Sequence, residues 1–139
     1  MTEARPADPI NRVDAPRPLR NQRPMPHILL IEDDHALRNT LAEVLGENGH
    51  VVHAAEHGQE ALELLRGGCH PGLILLDMVM PVMDGRRFLE LKIADPALAT
   101  IPVVILSASE RQLCPGAVAL LAKPVELEVL LEAIAHHHR

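Results

Sequence analysis

The chain has 139 residues, enough for one domain with a hydrophobic core. Apolar residues make up 47% of it, but Phe88 is the only aromatic one, so the core must be built from Leu, Val, Ile and Ala, which suits a parallel sheet covered by helices. Residues 27–139 carry 8 basic against 16 acidic side chains, and such an acidic body argues against binding to nucleic acid.

The compartment is predicted from what the sequence lacks. Cys69 and Cys114 lie far apart and form no C-x-x-C pair, which indicates free thiols in a reducing compartment. No apolar run approaches the length of a membrane span, and the N-terminus has no apolar signal core. We therefore expect a cytoplasmic protein.

Residues 1–26 contain six prolines, five arginines and no aromatic residue. A segment of this composition buries too little apolar surface to offset its ordering entropy, so we predict a disordered tail. A proline-rich or basic docking tail is the functional alternative. A third possibility is that translation starts at Met25, and that the preceding residues are not part of the native protein.

The rest of the chain alternates between two patterns. Short apolar runs predict five strands, at residues 27–31, 50–54, 73–76, 102–106 and 118–122. Helical spacing predicts four helices. The first lies between an N-cap at Asp34 and a C-cap at Gly49, the second covers residues 59–66, and the third covers residues 84–94 and is led by Phe88 and Leu91. The fourth contains the apolar stripe Leu127, Leu130, Leu131 and Ile134. The second strand is less apolar, as at a sheet edge. Alternating strands and helices imply an α/β fold with one parallel sheet.

The connection between the fourth and fifth strands is unusually short. Only the eleven residues 107–117 are available, and Pro115-Gly116 interrupts them. A complete crossover with its helix needs roughly 10–12 residues. We therefore predict one or two irregular turns in place of a full fourth helix.

Three carboxylates follow the predicted strand ends. Glu32 and Asp33 follow the first strand and Asp77 ends the third, so all three should share one small pocket. Two charges about 5 Å apart repel by roughly 3 kcal/mol at an effective dielectric of 20, which favours a bound cation. Hard oxygen ligands without cysteine or histidine favour Mg²⁺, or Mn²⁺, over zinc. The plainer alternative is an acidic turn that caps the first helix.

Two further strand ends supply complementary groups. Ser107 follows the fourth strand and offers a hydroxyl donor, and Lys123 follows the fifth and offers an ammonium group. Three acids, a hydroxyl and a lysine around a metal suit phosphoryl transfer. Asp77, closest to the centre of the sheet, is the candidate nucleophile and would form an acyl phosphate.

The motifs ILLIEDD, LILLDMVMPVMDG, VVILSAS and LAKP, in this order, resemble the receiver domain of two-component response regulators. The resemblance covers residues 27 to about 135, and we assign 27–139 to this domain. It implies a flavodoxin-like, doubly wound five-stranded parallel sheet of order 2-1-3-4-5.

The resemblance also implies a role for each site residue. Asp77 would be the phosphorylation site, accepting phosphate from a sensor histidine kinase or a histidine phosphotransfer protein. Glu32, Asp33, Asp77 and the backbone carbonyl of Val79 would hold Mg²⁺. Ser107 would bind the phosphoryl oxygen, and Lys123 would pair with it beside a cis peptide bond to Pro124.

Two departures from the family pattern fall on the face that the family uses for output. One is the curtailed crossover, and the other is Leu120, where the family often has Tyr or Phe. Because the chain ends with the final helix, we expect a stand-alone phosphoacceptor switch, not an enzyme, that signals to an unknown downstream protein. The alternative is a pseudo-receiver that docks its partner regardless of phosphorylation.

Two enzyme classes fit the sequence poorly. A haloacid-dehalogenase-like phosphatase needs a second Asp two residues after the first, where Val79 stands, and no G-x-G-x-x-G follows the first strand. Five histidines are interpreted as polar surface residues, namely His35, His50, His53, His57 and His70. Adjacent positions on a helix point about 100° apart, so His136, His137 and His138 are not expected to converge on a metal.

Overall fold

The structure is a computed structural model that describes residues 25–139. Most of the predicted proline-rich tail therefore lies outside the described residues. The elements in chain order are β1 (His27–Ile31), α1 (His35–Glu47), β2 (Val51–Ala55), α2 (Gly58–Arg66), β3 (Leu73–Asp77), α3 (Gly85–Ala94), β4 (Val103–Ser107), β5 (Ala119–Ala122) and α4 (Leu127–His137). No helix in this part of the chain combines the length and apolarity needed to cross a membrane.

The five strands form one parallel sheet in the order β2-β1-β3-β4-β5. This confirms the predicted fold class and strand order. β1, β3 and β4 occupy the centre and are buried almost throughout, whereas β2 and β5 form the two edges. The weakly apolar second run is thus an edge strand, as predicted.

Helices cover both faces of the sheet, because successive residues of a strand point to opposite sides. Leu29 and Ile31 of β1 pack into a core that contains Phe88 of α3, while Ile28 and Leu30 pack into a second core with residues of α1 and α4. Continuous apolar runs are therefore required in the central strands, which are buried on both faces.

No helix forms between β4 and β5, which confirms the prediction of an irregular crossover. Residues 108–118 run instead through bends and turns, and Gly116 adopts the left-handed region with φ of +95°. The connection is short and contains a proline, so it cannot hold a full helical layer.

α3 buries Phe88, Leu89 and Lys92, and Leu91 packs partly buried against the core that contains Phe88.

One sequence interpretation needs correction. His50 is not a surface residue: it is buried just before β2, and its Nδ1 lies 3.0 Å from the carbonyl oxygen of Pro26. Its neighbours along the sequence are exposed or partly buried, so local pattern gave no sign of this burial.

Candidate functional site

The carboxyl ends of the central strands meet at one edge of the sheet. Ile31 is in register with Leu76, which sets Glu32 beside Asp77 on the neighbouring strand. On the other side, β3 and β4 pair as far as Asp77 and Leu106. The sheet therefore brings the predicted acidic residues into one pocket, as its strand order requires.

Glu32, Asp33 and Asp77 each offer a carboxylate oxygen, and these oxygens lie within 4.8 Å of one another. Glu32 is 1% exposed and Asp77 6%, whereas Asp33 is open to solvent. Capping of α1 is done by Asp34, whose Oδ1 accepts a hydrogen bond from the backbone N–H of Leu37 at 3.1 Å. The predicted metal ligands are therefore not needed as the N-cap.

Lys123 reaches this cluster from the end of β5. Its Nζ lies 2.8 Å from Oε1 of Glu32 and 3.3 Å from Oδ1 of Asp77. The peptide bond between Lys123 and Pro124 is cis, as the resemblance implied. Burial opposes the charge of Lys123, but the hydrogen bond to Glu32 and the charge of Asp77 outweigh it and raise its pKa.

Asp77 carries the largest perturbation in the site. Burial, the nearby charge of Glu32 and a hydrogen bond with Asp33 raise the pKa of its carboxyl to about 7, although Lys123 acts in the opposite direction. A carboxylate this hard to ionise among other acids would gain from a cation that replaces the lost hydration. Oxygen ligands at this spacing fit Mg²⁺ or Mn²⁺.

The segment that follows Asp77 is held close to the end of β3. The N–H of Val79 points toward Oδ1 of Asp77 at 3.5 Å, and the N–H of Gly85 donates to the carbonyl of Met78 at 3.1 Å. A Cβ at position 85 would lie 2.8 Å from Cα of Met78 and 2.9 Å from the carbonyl oxygen of Asp77. Glycine is therefore required for α3 to start this close to the candidate nucleophile.

Ser107 is the last residue of β4 and is 3% exposed. Its Oγ accepts hydrogen bonds from the backbone N–H groups of Ser109 at 3.2 Å and Glu110 at 2.9 Å. Its carbonyl oxygen accepts from the N–H of Lys123 at 2.9 Å. Ser107 thus stands at the predicted sheet edge, but its hydroxyl bonds to its own loop and not to Asp77.

One residue near the site was not anticipated. Arg38, in the first turn of α1, donates from its guanidinium to the carbonyl oxygen of Glu32 at 2.9 Å. Its place one helical turn after the capping Asp34 could have indicated that it faces the strand end. It fixes the backbone from which the acidic pair projects.

Comparison with known proteins places the chain among signalling domains. Residues 28–135 match the response regulator receiver domain. The chain is 37% identical over 113 residues to Response regulator MprA of Mycolicibacterium vanbaalenii, covering 75% of this chain and 46% of that protein. It is 39% identical over 115 residues to Transcriptional regulatory protein PdtaR of Mycobacterium tuberculosis, covering 77% and 54%.

A solved structure agrees with the sequence matches. The signal receiver domain of a signal transduction histidine kinase from Syntrophus aciditrophicus has a TM-score of 0.72 and 29% identity, covering 80% of this chain and 88% of that one. The present chain spans about half the length of the two curated relatives, 46% and 54%.

Proposed function

The chain belongs to the response regulator receiver family, and from this we propose that Asp77 accepts a phosphoryl group from the phosphohistidine of a sensor histidine kinase or a histidine phosphotransfer protein. A carboxylate oxygen of Asp77 attacks the phosphorus atom as the bond to the histidine nitrogen breaks. The imidazole leaves with the electrons of that bond, and an acyl phosphate remains on Asp77.

The observation that carries the proposal is the convergence of Asp77, two further carboxylates and Lys123 in a mostly buried pocket. A structural turn has no need for three acids this close, since their repulsion is unfavourable. A buried carboxylate with a lysine 3.3 Å away is suited to form and hold a negatively charged phosphoryl adduct.

Mg²⁺ fits the donor set of the pocket. Glu32, Asp33 and Asp77 would hold the ion, together with the backbone carbonyl of Val79. The bound ion supplies positive charge that offsets the phosphoryl oxygens. The protein's own residues do the rest: Lys123 neutralises a phosphoryl oxygen, and Ser107 donates its hydroxyl hydrogen to another.

The phosphorylated domain would act as a switch and not as an enzyme, assisting only its own phosphorylation and dephosphorylation. Phosphorylation would shift the domain toward one conformation. A downstream protein that binds this conformation more tightly than the unphosphorylated one would read the signal.

Phosphorylation with a small donor tests the proposal directly. Incubation with acetyl phosphate and Mg²⁺ should add the mass of one phosphoryl group to the wild type, and EDTA or Asp77→Asn should abolish the addition. Asp34→Asn is the matched control, because asparagine also caps helices well and the residue adjoins the acidic pair. A wild type that stays unmodified with acetyl phosphate and with a phosphorylated histidine kinase would refute the proposal.

A docking role independent of phosphorylation is the second candidate. It is favoured by the missing helix between β4 and β5 and by Leu120, which packs partly buried against the core on the α2 and α3 side. Capture of the same downstream protein with equal affinity by phosphorylated wild type and Asp77→Asn would support this role. Preferential capture by the phosphorylated form would exclude it.

A further inference from the structure

The loop that follows Ser107 lacks the helix that would otherwise fix its position. The Oγ of Ser107 accepts two backbone N–H groups of this loop, from Ser109 and Glu110. Within residues 25–139 this hydroxyl donates no hydrogen bond, although the residue is 97% buried. Both lone pairs are occupied, so the hydroxyl hydrogen is the one remaining bonding group and its direction depends on where the loop holds Oγ.

Glu110 connects this loop to the rest of the fold. Its carboxylate forms an ion pair with the guanidinium of Arg86 in the first turn of α3, and Oε2 lies 3.6 Å from the Sγ of Cys114. We call these three side chains the Glu110 clasp. One residue thus contacts Ser107 through its backbone, and contacts α3 and the far end of the loop through its side chain.

The clasp is shielded from solvent on its glutamate side. The side chains of Arg86 and Arg87 are equally exposed, at 61% and 60%, but Glu110 is 21% exposed, against 67% for Glu90, which pairs with Arg87. Cys114 is buried, and burial raises the pKa of its thiol, which keeps the sulfur protonated and able to donate to Glu110. The loop is therefore fixed to α3 at the residue that bonds the hydroxyl.

We propose that Arg86 and Glu110 are positioning residues for phosphoryl transfer: by anchoring the loop to α3, they hold the Ser107 hydroxyl ready to donate to the phosphoryl oxygen. This rests on the proposed function of Asp77 and Ser107. Two N–H groups on Oγ also polarise the hydroxyl and make it a stronger donor. A donor fixed before the reaction needs no reorganisation when charge develops on the phosphoryl group.

The test measures the kinetics of Asp77 phosphorylation by acetyl phosphate for Arg86→Gln and Glu110→Gln, with Arg87→Gln as the control. Arg87→Gln removes the same charge from the adjacent position and should behave as wild type. Positioning predicts a roughly two- to five-fold lower maximal rate for both clasp variants, with KM for acetyl phosphate and Mg²⁺ affinity unchanged. The double exchange Arg86→Glu with Glu110→Arg should restore most of the rate.

The signs of the two effects separate positioning from simple electrostatics. If the clasp acted only through its charges on the anionic acetyl phosphate, Glu110→Gln would speed phosphorylation, because it removes a negative charge. Positioning requires both Arg86→Gln and Glu110→Gln to slow it. Positioning also requires that neither substitution slows phosphorylation further in a Ser107→Ala background, because the positioned group is then gone.

The outcomes distinguish this inference from the proposed function. Equal rates for Arg86→Gln, Glu110→Gln and Arg87→Gln, with Ser107→Ala slow, would overturn the inference and leave the function intact. A further loss for the clasp variants in the Ser107→Ala background would overturn it as well. A wild type that takes no phosphate at all would instead refute the proposed function.

Discussion

The two lysines of the chain are both withdrawn from solvent, with opposite consequences. Lys123 is paired with Glu32 and Asp77, and its pKa is raised although burial opposes its charge. Lys92 on α3 is 0% exposed, and its Nζ hydrogen-bonds the carbonyl oxygen of Ala99 at 3.1 Å. Burial, with a smaller effect from Arg139, lowers the pKa of Lys92 to about 8. A buried ammonium with only a neutral acceptor is unfavourable.

Replacing Lys92 by Met should therefore stabilise the domain at neutral pH. A pKa lowered from 10.5 to about 8 means that the folded protein disfavours the charged form of Lys92 by about 3 kcal/mol. The substitution removes this cost but also loses the hydrogen bond to Ala99, which is worth about 1 kcal/mol. We expect Lys92→Met to be more stable by about 1–2 kcal/mol at pH 7 in urea unfolding.

The sign of the pH dependence follows from linkage. Between pH 8 and 10.5 the unfolded chain binds more protons at Lys92 than the folded one, so the contribution of Lys92 to wild-type stability should rise across that window. The advantage of Lys92→Met should shrink over the same range. Burial raises the pKa of the Cys69 and Cys114 thiols, which gives an opposite trend in the same window, so the difference between wild type and Lys92→Met is what isolates Lys92. The exposed Arg66→Met is the control, and an advantage independent of pH would contradict the explanation.

Among the connecting elements, the loop between β3 and α3 is the most strained. Val82 has φ of +66°, a left-handed conformation that is unfavourable for a β-branched residue, and its side chain is 79% exposed. The carbonyl oxygen of Met83 accepts from the N–H of Gly58 at 3.2 Å, which ties the loop to the start of α2. The loop conformation is therefore set by its contacts and not by the preference of Val82.

Val82→Gly should stabilise the protein by about 1 kcal/mol, because glycine adopts positive φ without steric cost and the lost side chain contacts little. Val82→Ala serves as the comparison, since it shortens the side chain but keeps the Cβ and most of the strain. Chemical denaturation of the three proteins would rank them Gly above Ala, with Ala near Val. A glycine variant less stable than wild type would show that Val82 contributes packing that outweighs its strain.

Over the whole molecule, stability should be unevenly distributed across the sheet. The central strands are buried between helices on both faces, whereas β5 is an edge strand whose residues are partly or fully exposed. The crossover before β5 has no helical hydrogen bonds of its own in the described chain. Local opening should therefore concentrate at this edge of the sheet.

Native-state hydrogen exchange measures this distribution. We expect amides of β1 and β3 to exchange only by global unfolding, and those of residues 108–122 to exchange through smaller openings with weaker dependence on denaturant. Glu110→Gln should increase exchange in the crossover more than Arg87→Gln does. Equal protection in β5 and β3 would contradict this view of the fold.

Much of the architecture could be predicted from the sequence. Continuous apolar runs such as LILL before Asp77 can only be satisfied by burial on both faces, and that requires a parallel sheet between helices. Polar residues directly after those runs then lie at one sheet edge, which is why Glu32, Asp33, Asp77, Ser107 and Lys123 could be singled out. The absence of a helix between β4 and β5 followed from the short segment around Pro115.

Only the tertiary structure decided features that depend on distant partners. The burial of His50 and the bonds from the loop to the Ser107 hydroxyl have no signature in local spacing. Lys92 lies at helical spacing from Phe88 and Leu89, but that spacing does not indicate the acceptor of its ammonium group. Arg86 and Glu110 are 24 positions apart and meet only because the crossover folds back onto α3. Strand and helix periodicity indicates which face of an element is apolar. It does not indicate how the elements pack against each other, and that packing sets the partner of each polar side chain.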